Sequence, residues 1–264
     1  INYDLEFKGF SLEMSPSNQD RLMIGQFDIY YSDDNGQTNF NLISPSITDP
    51  PDFYSKKHEI NSIKISKSNP NVTYYSRLGT YFDNDFDGRN TDADPDIDGF
   101  DGIYGGIFKL EETSPGIFTQ TNITNNLAIP DALIPFYVPS TVNTLKYFPL
   151  HRASISDIAI DPTNHNRVWI TFQGFGSLSE NENSTLGRST KVYKTENGGQ
   201  SWENADPTNS LPNFPVNAIQ YQEGTDDRLF IGTEVGVFYK DNNMPDWCRY
   251  ADLPAVDVSD VNIN

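Results

Sequence analysis

Apolar and polar positions alternate over short stretches of this chain. The clearest is Ile155-Ser156-Asp157-Ile158-Ala159-Ile160-Asp161-Pro162, which turns through Thr163-Asn164-His165-Asn166 and resumes as Arg167-Val168-Trp169-Ile170. A period of two, broken by Asn, Asp, Pro and Gly, predicts half-buried strands joined by hairpins. The same string recurs as GFSLEMSPSNQDRLMIG from Gly9, INSIKISKSNPNVTYY from Ile60 and VNAIQYQEGTDDRLFIG from Val216, and it starts again at Val258. Aligned on the second apolar residue, the anchors are Leu12, Ile63, Ile158, Ile219 and Val261, spaced by 51, 95, 61 and 42 residues. The shortest spacing is close to the ~40–50 residues of a four-stranded propeller blade. The longer ones are blades carrying insertions.

Each repeat has one internal order. A first strand is followed by a polar turn and a second strand (RLMIGQF, VTYYSRL, RVWITFQGF, RLFIGTE). Third strands are predicted at Asp28–Tyr31, Gly106–Lys109, Lys191–Lys194 and Gly236–Tyr239, and short fourth strands end near Leu42, Ile123, Asn204 and Tyr250. No long helical stripe interrupts this order. The predicted fold is therefore an all-β propeller of four-stranded antiparallel blades, seen as a partial ring of about four blades and the start of a fifth. The blades run over 9–57, 58–127, 153–210 and 214–254, with an acidic insertion at 81–103 and a Pro/aromatic one at 128–152.

The turn after the third strand carries a second signal. Ser32-Asp33-Asp34-Asn35-Gly36-Gln37-Thr38-Asn39-Phe40 resembles the Asp-box, or BNR repeat, Ser/Thr-x-Asp-x-Gly-x-Thr/Ser-Trp. Thr195-Glu196-Asn197-Gly198-Gly199-Gln200-Ser201-Trp202 is a second copy with Asn197 in place of the Asp. Asp241–Trp247 is a degenerate third, and Glu112–Phe118 keeps only the turn and an aromatic. In such a turn Gly supplies the positive φ, and the Asp or Asn and the hydroxyl bond nearby amides. The residues Ser32, Asp34, Gly36, Thr38, Thr195, Asn197, Gly199, Ser201 and Trp202 are thus read as a folding device rather than as chemistry. Phrases such as VYKTENGGQSWEN and RLFIGTEVGVFYKDN make most of the chain similar to the sortilin-like and glycosyl-hydrolase BNR propellers of secreted Bacteroidetes proteins. That resemblance implies an extracellular or cell-surface protein. It leaves activity open, because function lives in sites rather than in folds.

Composition narrows the ligand classes. The 264 residues carry 37 Asp+Glu against 18 Lys+Arg, a net charge of -19. Such a surface repels nucleic acid and anionic membranes. Hydrophobic residues at 36 % suffice for a core, and no apolar run approaches the ~20 residues of a membrane span. The lone Cys248 excludes an intramolecular disulfide. The start, Ile1-Asn2-Tyr3-Asp4, has no signal-peptide pattern, so a processed or partial chain is expected.

Much of the acidity sits in one insertion. Asp83, Asp85 and Asp87 precede Gly88, and Asp92, Asp94, Asp96 and Asp98 precede Gly99, with Asp101 just beyond. Hard oxygen ligands at alternate positions with Gly at the bend are the spacing of a calcium loop. Bound Ca²⁺ is the expected cofactor. The second insertion offers Phe136, Tyr137 and Tyr147 as aromatic platforms for a ligand face.

Signals for catalysis are sparse. His58, His151 and His165 are dispersed, so a zinc site is not expected. The Phe-Arg-Ile-Pro signature of sialidases is missing, and Arg21, Arg167 and Arg228 share one repeat position, which marks a structural role. Asp157, one residue before the anchor of the third repeat, is the best-placed single carboxylate, with Asp260 at the equivalent place in the fifth. The favoured function is a secreted or cell-surface binding module for protein or glycan, stabilised by calcium. The alternatives are a xyloglucanase-type glycoside hydrolase, which needs two carboxylates, and a scaffold subunit that meets remaining blades or partner chains in a larger assembly.

Overall fold

The structure is a computed structural model that describes residues 11–26, 28–43, 60–77, 106–123, 155–173 and 191–263. These residues form sixteen strands and no helix. The first sheet holds β1 (Ser11–Met14), β2 (Leu22–Gly25), β3 (Ile29–Ser32) and β4 (Asn41–Leu42). The second holds β5 (Ile60–Ile65), β6 (Val72–Arg77), β7 (Gly106–Ser114) and β8 (Ile117–Asn122). The third holds β9 (Ile155–Asp161), β10 (Asn164–Phe172), β11 (Val192–Thr195) and β12 (Glu203–Asn204). The fourth holds β13 (Val216–Tyr221), β14 (Leu229–Thr233), β15 (Gly236–Lys240) and β16 (Cys248–Arg249). Every sheet is an antiparallel meander in chain order, the topology of a propeller blade.

Register explains why the anchors recur. Each sits at the head of one row across its sheet: Ile63–Tyr75–Phe108–Asn122 in the second, Ile158–Ile170–Tyr193–Asn204 in the third and Ile219–Ile231–Phe238–Arg249 in the fourth. The apolar members of these rows are buried against the preceding sheet. Thus Ile63, Tyr75 and Phe108 pack with Met23, Ile29 and Ile43 of the first sheet. Ile158 and Ile170 pack with Val72, Tyr74 and Ile107, and Ile219 and Ile231 with Ala159 and Trp169. The core is therefore a series of sheet-on-sheet layers, each fully buried Ile being worth roughly 1.5–3 kcal/mol. In the first sheet the matching row is Leu12–Ile24–Tyr30–Leu42. Among the described residues no earlier sheet lies over this row, and there Leu12, Tyr30 and Leu42 are 54 %, 40 % and 52 % exposed.

Neighbouring sheets are also stapled through polar groups. Near the start of each inner strand from β5 onward the register shifts. The residue there donates to a carbonyl one repeat on: Asn61 Nδ2 to Ile155 O at 2.8 Å, Ser156 Oγ to Val216 O at 2.5 Å, and Asn217 Nδ2 to Val258 O at 3.2 Å. The shared arginine position is structural, as its repetition implied. Arg21, Arg167 and Arg228 pair within their own sheets with Asp33, Glu196 and Asp241. Arg21 also reaches Glu112, and Arg167 reaches Asp227, one sheet further round.

Two details depart from the sequence reading. The third strand of the second sheet runs on to Ser114, because Thr113 to Gly116 closes a tight hairpin, with Gly116 at φ 76°, in place of the longer box turn. The fifth copy of the pattern, residues 258–263, forms no strand. A lone segment without a second strand beside it has nothing to complete its ladder.

Candidate functional site

The residue after each anchor defines the site. Glu13, Lys64, Ala159, Gln220 and Asn262 share this repeat position, and all five line one central cavity of about 510 Å³. Four of them lie on the first strand of a sheet and Asn262 lies in the segment 258–263, so the cavity is where the inner edges converge, the place where a propeller offers a ligand mouth. On its rim Lys67 of the second sheet meets Glu223 of the fourth at 2.5 Å. The cavity is polar and of mixed charge.

Asp157 does not line the cavity but ties together the strands that do. Its Oδ1 accepts from Ser62 Oγ at 2.9 Å and lies 3.7 Å from Lys64 Nζ. Its Oδ2 accepts the backbone N–H of Ile219 at 3.1 Å. One carboxylate of the third sheet thereby joins the second and the fourth. Lys64 is half-buried, which alone would lower its pKa. Asp157, Glu13 and Asp260 outweigh this and raise it.

Glu13 is the group that the sequence reading passed over. Burial pushes its carboxyl up to about 7, against the opposing pull of Lys64 and the Ile65 amide, with Asp157 adding to the rise. The signal for it was present in the repeat: the position after the anchor is Ala in one unit and charged in two. Because the folded-state value lies above the ordinary 4.5, the folded chain holds more protons than the unfolded one between about pH 4.5 and 7. The contribution to stability is complete below that window and is lost as pH rises through it. Glu13→Gln is expected to flatten this slope and to be about 2 kcal/mol more stable than the parent chain at pH 8. Urea titrations at pH 5 and pH 8 check it, and parallel pH dependence in both proteins would refute it.

The turns read as boxes lie away from this cavity. In the first sheet, Ser32 Oγ accepts the amides of Asp34 (3.3 Å) and Gly36 (2.9 Å) and donates to Asp34 Oδ1 at 2.6 Å; Thr38 donates to Asp34 Oδ2 at 2.5 Å. These hydroxyls, Ser32 first, hold the Asp34 carboxyl below its usual range. In the third sheet, Thr195 Oγ1 accepts from Asn197 and Gly199, and Asn197 bonds Ser201 through both its amide ends. Trp202 then donates Nε1–H to Ile123 O of the preceding sheet at 3.3 Å. Trp247, from the degenerate copy, does the same to Ala205 O at 3.2 Å. The tryptophan therefore reaches across sheets.

The calcium-loop residues Asp83, Asp85, Asp87, Asp92, Asp94, Asp96, Asp98 and Asp101, and the aromatic candidates Phe136, Tyr137 and Tyr147, lie outside the described residues. Among the described residues no group of three or more His, Cys, Asp or Glu is placed to hold a metal ion, and no helix is long and apolar enough to cross a membrane.

No protein-family model matches the chain, and no curated protein matches it. Among solved structures it is similar to a GH74 xyloglucanase from Xanthomonas campestris, at 12 % identity and a TM-score of 0.50, over 94 % of this chain and 31 % of that one. It is also similar to an ancestral GH74 enzyme, at 13 % identity and a TM-score of 0.48, over 93 % of this chain and 26 % of that one. A third neighbour is the extracellular domain of a hybrid two-component system from B. thetaiotaomicron, at 11 % identity and 0.49, over 98 % and 25 %. The chain thus spans between a quarter and a third of each. At 12 % identity the likeness to the Xanthomonas campestris xyloglucanase speaks for the fold alone, and that fold is the β-propeller.

Proposed function

We propose that this chain is an arc of an extracellular Asp-box propeller that binds a protein or glycan ligand at its central mouth. The observation that carries this reading is the engagement of Asp157. Both of its oxygens accept hydrogen bonds that join sheets, which gives this carboxylate a structural task and a position set by the assembled strands. A wide polar cavity lined by side chains from every sheet is the setting in which a few oriented groups fix a ligand.

One observation favours the hydrolase reading. A carboxyl held near pH 7, as at Glu13, is the protonation state a general acid needs. A glycan array run beside a reducing-sugar assay separates the two readings. Binding without product, weakened by Gln220→Ala, supports the module. Turnover abolished by Glu13→Gln overturns it in favour of the enzyme.

Calcium belongs to the proposal through the alternate Asp spacing of 81–103. Clustered carboxylates repel one another unless a cation joins them. A metal present at 100 times its Kd would add about 2.7 kcal/mol to stability. Chelation is therefore expected to speed proteolysis within 81–103 and to lower the melting temperature. Identical cleavage with and without Ca²⁺ would remove calcium from the proposal.

A further inference from the structure

The central cavity holds more negative charge than its cations balance. Four carboxylates lie in it or beside it, those of Glu13, Asp157, Asp260 and Glu223, against the two ammonium groups of Lys64 and Lys67. Both ammonium groups already have a partner. Lys67 pairs with Glu223 at 2.5 Å, and Lys64 lies 3.7 Å from Asp157. Glu13 and Asp260 are left over. Asp260 accepts the Val261 amide at 2.8 Å. Glu13 accepts the Ile65 amide, and Lys64 acts on it through space. Among the described residues neither carboxyl has a cation within ion-pair distance. A carboxyl withdrawn from water without an adjacent counter-ion keeps its proton, and Glu13 does so up to about pH 7.

The cavity wall is divided. The third sheet contributes Ala159, Ile160 and Pro162, while Glu13, Gln220 and Asn262 come from the first sheet, the fourth sheet and the segment 258–263. Apolar surface beside a carboxylate that lacks a counter-ion suits a long aliphatic stem ending in a cation. A sugar is matched less well. Tyr221, the one aromatic among the described lining residues, is 9 % exposed and donates its hydroxyl to Asp227 at 2.8 Å, so it offers no open ring face for stacking. The net charge of -19 acts in the same direction at longer range, drawing basic surfaces toward the chain.

We infer that the central mouth takes a basic side chain of a partner protein, its stem along Ala159, Ile160 and Pro162 and its cationic head against Glu13, with Asp260 adding to the attraction. The inference rests on the binding-module reading and names the chemistry that the module recognises. It carries a pH signature. The cation is held by the ionised carboxylate, so below about pH 7 each binding event displaces a proton from Glu13. Lys64, whose pKa is raised, stays charged throughout this range. Affinity therefore falls as pH falls. For a carboxyl that titrates at about 7, the Kd should be about 30-fold larger at pH 5.5 than at pH 8. A neutral ligand that accepts a hydrogen bond from the protonated carboxyl would show the opposite slope.

The probe is a blocked peptide, acetyl-Gly-Gly-Lys-Gly-Gly-amide, whose one charge is the lysine ammonium. Titrated into the isotope-labelled chain and followed by NMR, it should give saturable shifts at the Ile65 amide and at the side-chain amides of Gln220 and Asn262. The same peptide with norleucine for lysine should give none. Glu13→Gln keeps the shape of the side chain, and the variant is expected to fold. It should weaken binding about tenfold at pH 8 and remove the pH dependence. Absence of saturable shifts, equal shifts with norleucine, or a Kd that is the same at pH 5.5 and pH 8 overturns the inference. So does a glucosamine trimer that binds more tightly than the peptide with the same pH slope, since the cation would then come from a glycan. A neutral oligosaccharide that shifts these amides where the peptide does not also overturns it, while leaving the binding-module reading in place.

Discussion

Trp202→Ala is expected to lower the unfolding free energy by about 3–5 kcal/mol, the loss typical of a buried tryptophan. Its ring is 7 % exposed, inside the layer between the second and third sheets, and its Nε1–H is bonded to Ile123 O. Truncation opens a cavity and leaves a buried carbonyl without its donor. Trp247→Ala should behave alike, since that ring is 4 % exposed in the next layer and bonds Ala205 O. Phe40 closes the first turn, and among the described residues there is no preceding sheet for it to enter. Phe40→Ala should therefore cost less than about 1 kcal/mol. Phe118, which meets Tyr31 edge-on at 5.2 Å, should fall between. Urea denaturation of the four variants decides the matter. A Phe40 variant as damaged as the Trp202 variant would mean that the aromatic supports its own hairpin rather than the stack.

How far the sequence carried the fold can be seen in the same residues. Period-two alternation located the strands, and the repeat located the anchors, because burial against a neighbouring sheet imposes an apolar residue at a fixed place in each unit. The recurrence of Arg21, Arg167 and Arg228 disclosed a structural role for the same reason. The site was less legible. Asp157 was singled out as the best-placed single carboxylate, but nothing in a linear pattern shows that Ser62 lies 2.9 Å away, 95 residues earlier in the chain. In the linear pattern Glu13 and Lys64 are polar members of two alternating strands, with nothing to set them apart. Their meeting depends on the convergence of inner edges, a property of the assembled sheets. The cross-sheet reach of Trp202 was hidden likewise, since its turn is local in sequence while its partner Ile123 is 79 residues distant.

Asp157→Ala should cost about 2–3 kcal/mol, because three donors converge on that side chain and a buried donor without its acceptor costs about 1–3 kcal/mol. Ser62 Oγ can turn to another acceptor, and Lys64 can lean toward Glu13 or Asp260. The Ile219 amide is fixed in its strand and carries most of the loss. The substitution has a second, distinguishable consequence. Asp157 is one of the groups that raise the Glu13 pKa, while Lys64 lowers it. Without Asp157, Lys64 becomes a closer counter-ion for Glu13, and the Glu13 carboxyl should titrate lower. The decline of stability between about pH 4.5 and 7 should then become shallower, although the protein is weaker at every pH. A Ser62→Ala cycle adds a third measure: if the two residues act through their hydrogen bond, the double variant should be less damaged than the sum by about 1 kcal/mol. A purely chemical role predicts the opposite set, in which Asp157→Ala leaves the urea midpoint and its pH dependence untouched while any turnover disappears. Loss of stability with ligand binding retained would place Asp157 among the elements that hold the ring together.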